Sequence, residues 1–266
     1  MSAVIGCYLR ITLAGFHRHT TYRHAVLAGT ATNVVFGLIK VGILTAVYLA
    51  RDGASIGGYD LTTSITYVWL GQGLLGVVDF WSDDELSERI RTGDIVVDLS
   101  RPWNMQAALL ATDLGRAGYS AVARFVPQLL LGALLFPFRW PTDPLVAPAF
   151  LVSALLAVLV SFHLRFLLGM TTFWLLDSRG VRSLYGVVSG TLAGLEIPLS
   201  YFPDWAQRAL LLTPFPSMLQ YPINVFVQDG PLLATLGQQL LWVLLLAAAG
   251  RLVLARAMHK VVVQGG

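Results

Sequence analysis

Charge is what this sequence lacks. Only 12% of its 266 residues are Asp, Glu, Lys or Arg, while 56% are hydrophobic and the mean hydropathy is +0.67. A soluble domain carries roughly 25% charged residues. Half that share leaves too few groups to solvate a globular surface, so the composition points to a membrane protein. Cysteine is nearly absent as well: Cys7 stands alone, which excludes an intrachain disulfide and a cysteine-rich metal site. Lysine occurs only as Lys40 and Lys260, each followed by valine. A phosphate-binding P-loop needs lysine followed by Ser or Thr, so this chain cannot cradle ATP in that way. H-E-x-x-H does not occur, which removes the usual entry point to zinc-protease chemistry. The arginines are scattered rather than striped, which argues against nucleic acid as a partner.

What is present is long apolar runs. A helical span needs about 20 predominantly apolar residues, and six segments qualify: 25–50, 61–80, 119–138, 145–168, 184–199 and 232–255. The expected fold is therefore all-α and polytopic, a single domain over residues 1–266. With the N-terminus inside, Arg10, Arg18, Arg23, Arg89, Arg91, Arg101, Arg116, Arg165, Arg179, Arg182, Arg256 and Lys260 fall on the inner side. Only Arg51, Arg139 and Arg208 fall outside. This asymmetry follows the positive-inside rule and places both termini in the cytoplasm. The opening run "MSAVIGCYLRITLAGF" does not read as a cleavable signal peptide, because Arg10 interrupts it. Residues 8–24 mix apolar and basic side chains and suit a helix lying at the inner interface. Residues 200–231 hold Pro203, Pro214, Pro216, Pro222 and Pro231, too many for a continuous helix. They are also too apolar for an ordinary loop. Short re-entrant helices on the outer side satisfy both facts.

Residues 81–104, "WSDDELSERIRTGDIVVDLSRPWN", form the one long polar run. Ser82 and Glu85 have capping-box spacing, Asp83 and Asp84 favour the same helix start, and Glu85 and Arg89 form an i,i+4 pair. Gly93 is the expected helix stop, and Ile95, Val97 and Leu99 then alternate with polar residues. A solvated linker would need none of this; a capped helix with an apolar side suits docking on a second protein. Elsewhere, Gly71, Gly73 and Gly76 spell G-x-G-x-x-G, but inside a span they serve close helix packing rather than a dinucleotide. His17, His19 and His24 lie among arginines and read as headgroup contacts rather than metal ligands. Lys40, deep in the first span, needs a polar cavity or a partner such as a carboxylate, since a bare charge there costs about 2.5–3.5 kcal/mol. Glu196, before the Ile197-Pro198 break, poses a similar problem. Arg124 is expected to snorkel toward the inner surface.

Together, the interfacial helix, "RTGDIVVDLSRPWN" after span two and "AGLEIPLSYFPDWAQRALLLTPFPSMLQYP" after span five resemble the type-2 family of ABC transporter permeases. These are the six-span membrane subunits of ATP-driven exporters, and the subgroup approached includes relatives described as drug or viologen exporters. Ala193, Gly194 and Glu196 depart from that subgroup's pattern. The resemblance implies an ABC ATPase docked at Asp84, Glu85, Glu88, Arg89, Arg91, Asp94, Asp98 and Arg101, with 81–104 as the coupling region. It implies a second permease, identical or a sister chain, and membrane lipid around both. ATP and Mg are expected on the ATPase; this chain is expected to bind no cofactor or metal and to have no enzymatic activity. Lys40 and Glu196 are the candidates for the translocation path of a small hydrophobic or amphipathic substrate across a bacterial inner membrane. A membrane enzyme using Lys40, Glu196 and Asp79, and an ion-driven secondary transporter using Lys40, are the alternatives.

Overall fold

The computed structural model describes residues 2–21, 23–81, 85–101, 103–175 and 178–264, the side chains of 2–4, 23 and 260–264 excepted. Among the described residues the chain is helical, with one isolated bridge between Ile56 and Tyr59. The helices are α1 Ser2–Thr20, α2 Arg23–Leu49, α3 Leu61–Val77, α4 Glu85–Thr92, α5 Ile95–Leu99 and α6 Met105–Leu135. They continue as α7 Val146–Met170, α8 Arg179–Ala193, α9 Asp204–Leu211, α10 Gln220–Val227 and α11 Leu232–Gln264. Four stretches are long and apolar enough to cross a membrane: His24–Leu49, Met105–Leu135, Val146–Leu175 and Leu232–His259.

The other two expected spans are shorter. Helix α3 has 17 residues, about 26 Å at 1.5 Å per residue, and nearly all of them are buried. It is the post around which α2, α6 and α10 pack. Asp60 caps its start, accepting a 2.7 Å bond from the Thr63 N–H. Glycines let neighbours close on it: a Cβ at Gly73 would lie 2.8 Å from Phe125, and one at Gly76 would lie 2.5 Å from the Arg124 stem. The glycine triplet is thus a packing surface on α3. Helix α8 has 15 residues and stops at Gly194, whose φ of +90° ends the helix in the left-handed region. A Cβ there would meet the Tyr67 hydroxyl at 2.4 Å.

Several boundaries differ from those expected. Span two ends at Val77 rather than residue 80, leaving Asp79 and Phe80 outside the helix. Span three begins at Met105 rather than 119, because Asn104 caps it by accepting from the Ala107 N–H at 2.9 Å. Its middle, Ala121–Phe125, is π-helical just before Pro127, which has no N–H to give the preceding turn. Span five covers Arg179–Ala193, not 184–199. The interfacial helix runs from Ser2 to Thr20 rather than 8–24. It crosses α6 where Gly15 meets Thr112 and Gly115 meets Thr12 and Phe16, positions with no room for a Cβ. Its opposite face exposes Ile5, Leu9 and Leu13, spaced for one helix face. In the 200–231 region, α10 is buried against α3 and α7 beside short 3-10 turns.

Candidate functional site

The expected coupling region folds as two short helices bent at Gly93, whose φ is +85°. Arg89 of α4 pairs with Asp98 of α5 at 2.7 Å and holds the bend closed. Leu86 fits against Gly169 of α7, where a Cβ would lie 2.7 Å from it. Ile95 is buried with Phe166, Met170 and Leu254, and Ser87 receives a bond from Ser178. The pair is therefore bolted to the end of α7.

The eight expected docking residues do not share one face. Asp84 lies outside the described residues, as do Ser82 and Asp83 of the expected capping box and Pro102. Arg89 and Asp98 turn inward and line a cavity of about 530 Å³, with Glu85 at its exposed rim. Glu88, Arg91, Asp94 and Arg101 are exposed, alongside Val96 and Val97. Glu88 and Arg91 pair with each other, and Arg101 lies over the Trp103 ring. The expected Glu85–Arg89 ion pair does not form. Glu85 instead reaches Arg18 of α1 at 3.2 Å, and Arg89 takes Asp98. Two longer-range partners with better geometry replace one local contact. The alternating run expected at 95–99 is a helical turn, which buries Ile95 and exposes Val96 and Val97.

Behind the coupling helices lies a charged square that the sequence reading did not assemble. Asp113 accepts from Arg116 at 2.7 Å and from Arg165 at 2.8 Å. Asp79 lies 3.3 Å from Arg165 and 3.9 Å from Arg116. Arg116 also donates to the Gly76 and Val77 carbonyls, satisfying the open end of α3. Two carboxylates and two guanidiniums thus tie α3, α6 and α7 together. Asp113 was missed, although its i,i+3 spacing to Arg116 was a signal. Asp79 stays apart from the other two groups of the membrane-enzyme reading.

Those two groups meet. Lys40 Nζ is 3.0 Å from Glu196 and donates to the Leu195 carbonyl at 2.8 Å. The lysine is largely covered and the carboxylate largely open, at 17% and 59% exposure. Leu195 is itself fixed by its N–H on the Gly190 carbonyl, and Tyr67 holds the Gly194 carbonyl. The carboxylate that Lys40 requires is therefore supplied by the chain break after α8. Arg124 lays its stem across Gly76 and its guanidinium beside Gly29 of α2. Its Nε is buried without a hydrogen-bond partner among the described residues.

At the end of the molecule away from α4 and α5, tyrosines stitch the short helices to α2 and α3. Tyr48 and Tyr201 both bond Ser64, at 2.8 and 2.6 Å, while Tyr67 and Tyr59 bond Gln220 and Asn224. Partial burial pushes the Asp60 carboxyl up. Its hydrogen bonds from Thr63 and the charge of Arg139 outweigh this and hold it below the usual range. Among the described residues, no group of three or more His, Cys, Asp or Glu is placed to hold a metal. His19 instead donates from Nδ1 to the Gly15 carbonyl.

A family model described as ABC-2 family transporter protein matches residues 36–265. No curated protein matches the chain.

Proposed function

The chain belongs to the ABC-2 family of transporter proteins, and from that premise we propose that it is the permease subunit of an ATP-driven exporter in a bacterial inner membrane. Six spans, α2, α3, α6, α7, α8 and α11, place both termini and the coupling helices in the cytoplasm. A separate ABC ATPase holds ATP and Mg and docks on the exposed strip of Glu88, Arg91, Asp94, Val96, Val97 and Arg101. A second permease, identical or a sister chain, completes the pore within surrounding lipid.

One observation carries this reading: α4 and α5 expose a charged and apolar strip on one side while Leu86 and Ile95 on the other side grip α7. A movement of the strip would pass through Arg165 and Asp113 into α3 and α6. ATP-driven closure of the motor would then switch the pore between inward- and outward-facing states. Lys40 and Glu196 line the path of a small hydrophobic or amphipathic substrate. The test is reconstitution in vesicles with the cognate ATPase. Substrate movement should require this chain, the ATPase and hydrolysable ATP together. Movement by this chain alone would sink the proposal.

A further inference from the structure

We propose that the cavity beneath the coupling helices binds the anionic headgroup of an inner-leaflet phospholipid. The cavity lies between the C-terminal end of α1, α4, α5 and the adjoining parts of α6 and α7. Its volume of about 530 Å³ falls within the range usual for small-ligand sites.

Its two ends are chemically different. At the deep end Arg116 spends all three nitrogens on Asp113, Gly76 and Val77, and Arg165 spends its three on Ser161, Asp79 and Asp113. Three of the five N–H donors of each are spent there, more than in either arginine at the mouth. At the mouth Arg18 engages only Nη1, on Glu85, and Arg89 only Nη2, on Asp98. A guanidinium carries five N–H donors, so among the described residues both arginines keep donors unspent. Both Asp98 oxygens already face Arg89 Nη2. The surplus is one of donors, and an acceptor-only phosphate complements it with charge-assisted bonds.

The wall favours a lipid over a free anion. Leu86, Leu109, Phe162 and Phe166 line the same cavity and offer a surface for the first carbons of an acyl chain. The exposed Ile5, Leu9 and Leu13 of α1 set the mouth at the bilayer surface. A headgroup between Arg18 and Arg89 would bridge the interfacial helix and the coupling helix. The inference rests on the inner-face placement proposed above and is independent of the ATPase.

The full chain, purified in mild detergent, is read by native mass spectrometry with phosphatidylglycerol or phosphatidylcholine at equal mole fraction. Inorganic phosphate is the competitor in a third arm. Phosphatidylglycerol should be retained about tenfold over phosphatidylcholine, which has the same phosphate but brings a choline cation up to Arg18 and Arg89. Arg18→Gln/Arg89→Gln should abolish the preference, and Arg139→Gln should keep it. Arg18→Gln alone, at a side chain 59% exposed, leaves the fold intact and should lower the preference about threefold, part of that effect. Equal retention of the two lipids, or an unchanged preference in both Arg18 variants, would overturn the site. Displacement by phosphate at the lipid's own concentration would make it a free-anion site and sink the lipid assignment. Failure here with ATP-dependent transport intact would leave the permease reading standing.

Discussion

The ammonium of Lys40 lies 3.0 Å from the carboxylate of Glu196, and its second anchor is the Leu195 carbonyl at 2.8 Å. The lysine belongs to α2 and the glutamate to the break after α8, so the contact bridges a long helix and the start of the short helices of the 200–231 region. Lys40→Met should alter export or its substrate range, because it frees a carboxylate 59% exposed on the proposed substrate path. Lys40→Met/Glu196→Gln should recover the protein's thermal stability but not its substrate range. Wild-type export by both variants, measured in vesicles, would reduce the pair to a packing contact.

Asp113 is the shared acceptor of Arg116 and Arg165. Asp113→Asn should cost about 3–5 kcal/mol, the range for breaking a buried pair and stranding its partners. Asp113→Asn/Arg165→Gln should cost less than the sum of the two single changes, because the stranded charge goes too. Thermal unfolding in detergent, followed by fluorescence, reads both. A loss below about 1 kcal/mol for Asp113→Asn, the scale of a surface pair, would show the square to be solvated.

Much of this was legible because oil in long runs admits few alternatives. The apolar stretches at 25–50, 145–168 and 232–255 each contain most of a long helix. The need of Lys40 for a carboxylate was also legible, since a lone charge in a span is expensive. Which carboxylate answered was not, because Glu196 reaches it only through the left-handed turn at Gly194. Local spacing misled at Glu85 and Arg89: both sit on one helix face, yet Arg18 and Asp98 arrive from other elements and compete successfully. The start of α6 stayed hidden because Asp113 and Arg116 made residues 105–118 look too polar for a span. Arg165 and Asp79 close that pair into a square only in the folded chain.

The division of the coupling residues can be tested directly. Glu88→Arg and Arg91→Glu, each on the exposed side, should reduce recovery of the ATPase in copurification about tenfold, a typical worth for a charged interface contact. Membrane insertion should be unchanged. Glu85→Gln lies at the cavity rim and should leave recovery near wild type. Equal loss from all three would mean that docking does not follow the exposed strip.

Asp60 caps α3 through the Thr63 N–H, and its folded-state acidity is stronger than usual. A depressed carboxyl contributes stability above its unfolded value and loses it as pH falls through the folded value. Asp60→Ala should therefore cost about 1 kcal/mol at pH 7, and the gap from wild type should narrow below about pH 4. Asp60→Asn should keep most of the cap at both. Thermal unfolding at pH 7 and pH 3.5 decides it, and a gap that does not change with pH would remove the carboxylate from the account.

The proposed topology puts Asp52, Thr142 and Asp204 on the outer face and Arg91 and Asp94 on the inner, and all five are exposed. With Cys7 replaced by serine, single cysteines at these positions can be challenged with a membrane-impermeant maleimide. The first three should label in intact cells, and the last two only after permeabilisation. The α8 break carries the most risk, since its 15 residues reach only about 22 Å and the crossing must finish through the 194–201 turn. Asp204 lies just beyond that turn, so its label reports whether the short helix and the turn together complete a span. Labelling of Asp204 only after permeabilisation, with Asp52 and Thr142 still labelled from outside, would leave α8 and the helices after it on the inner side.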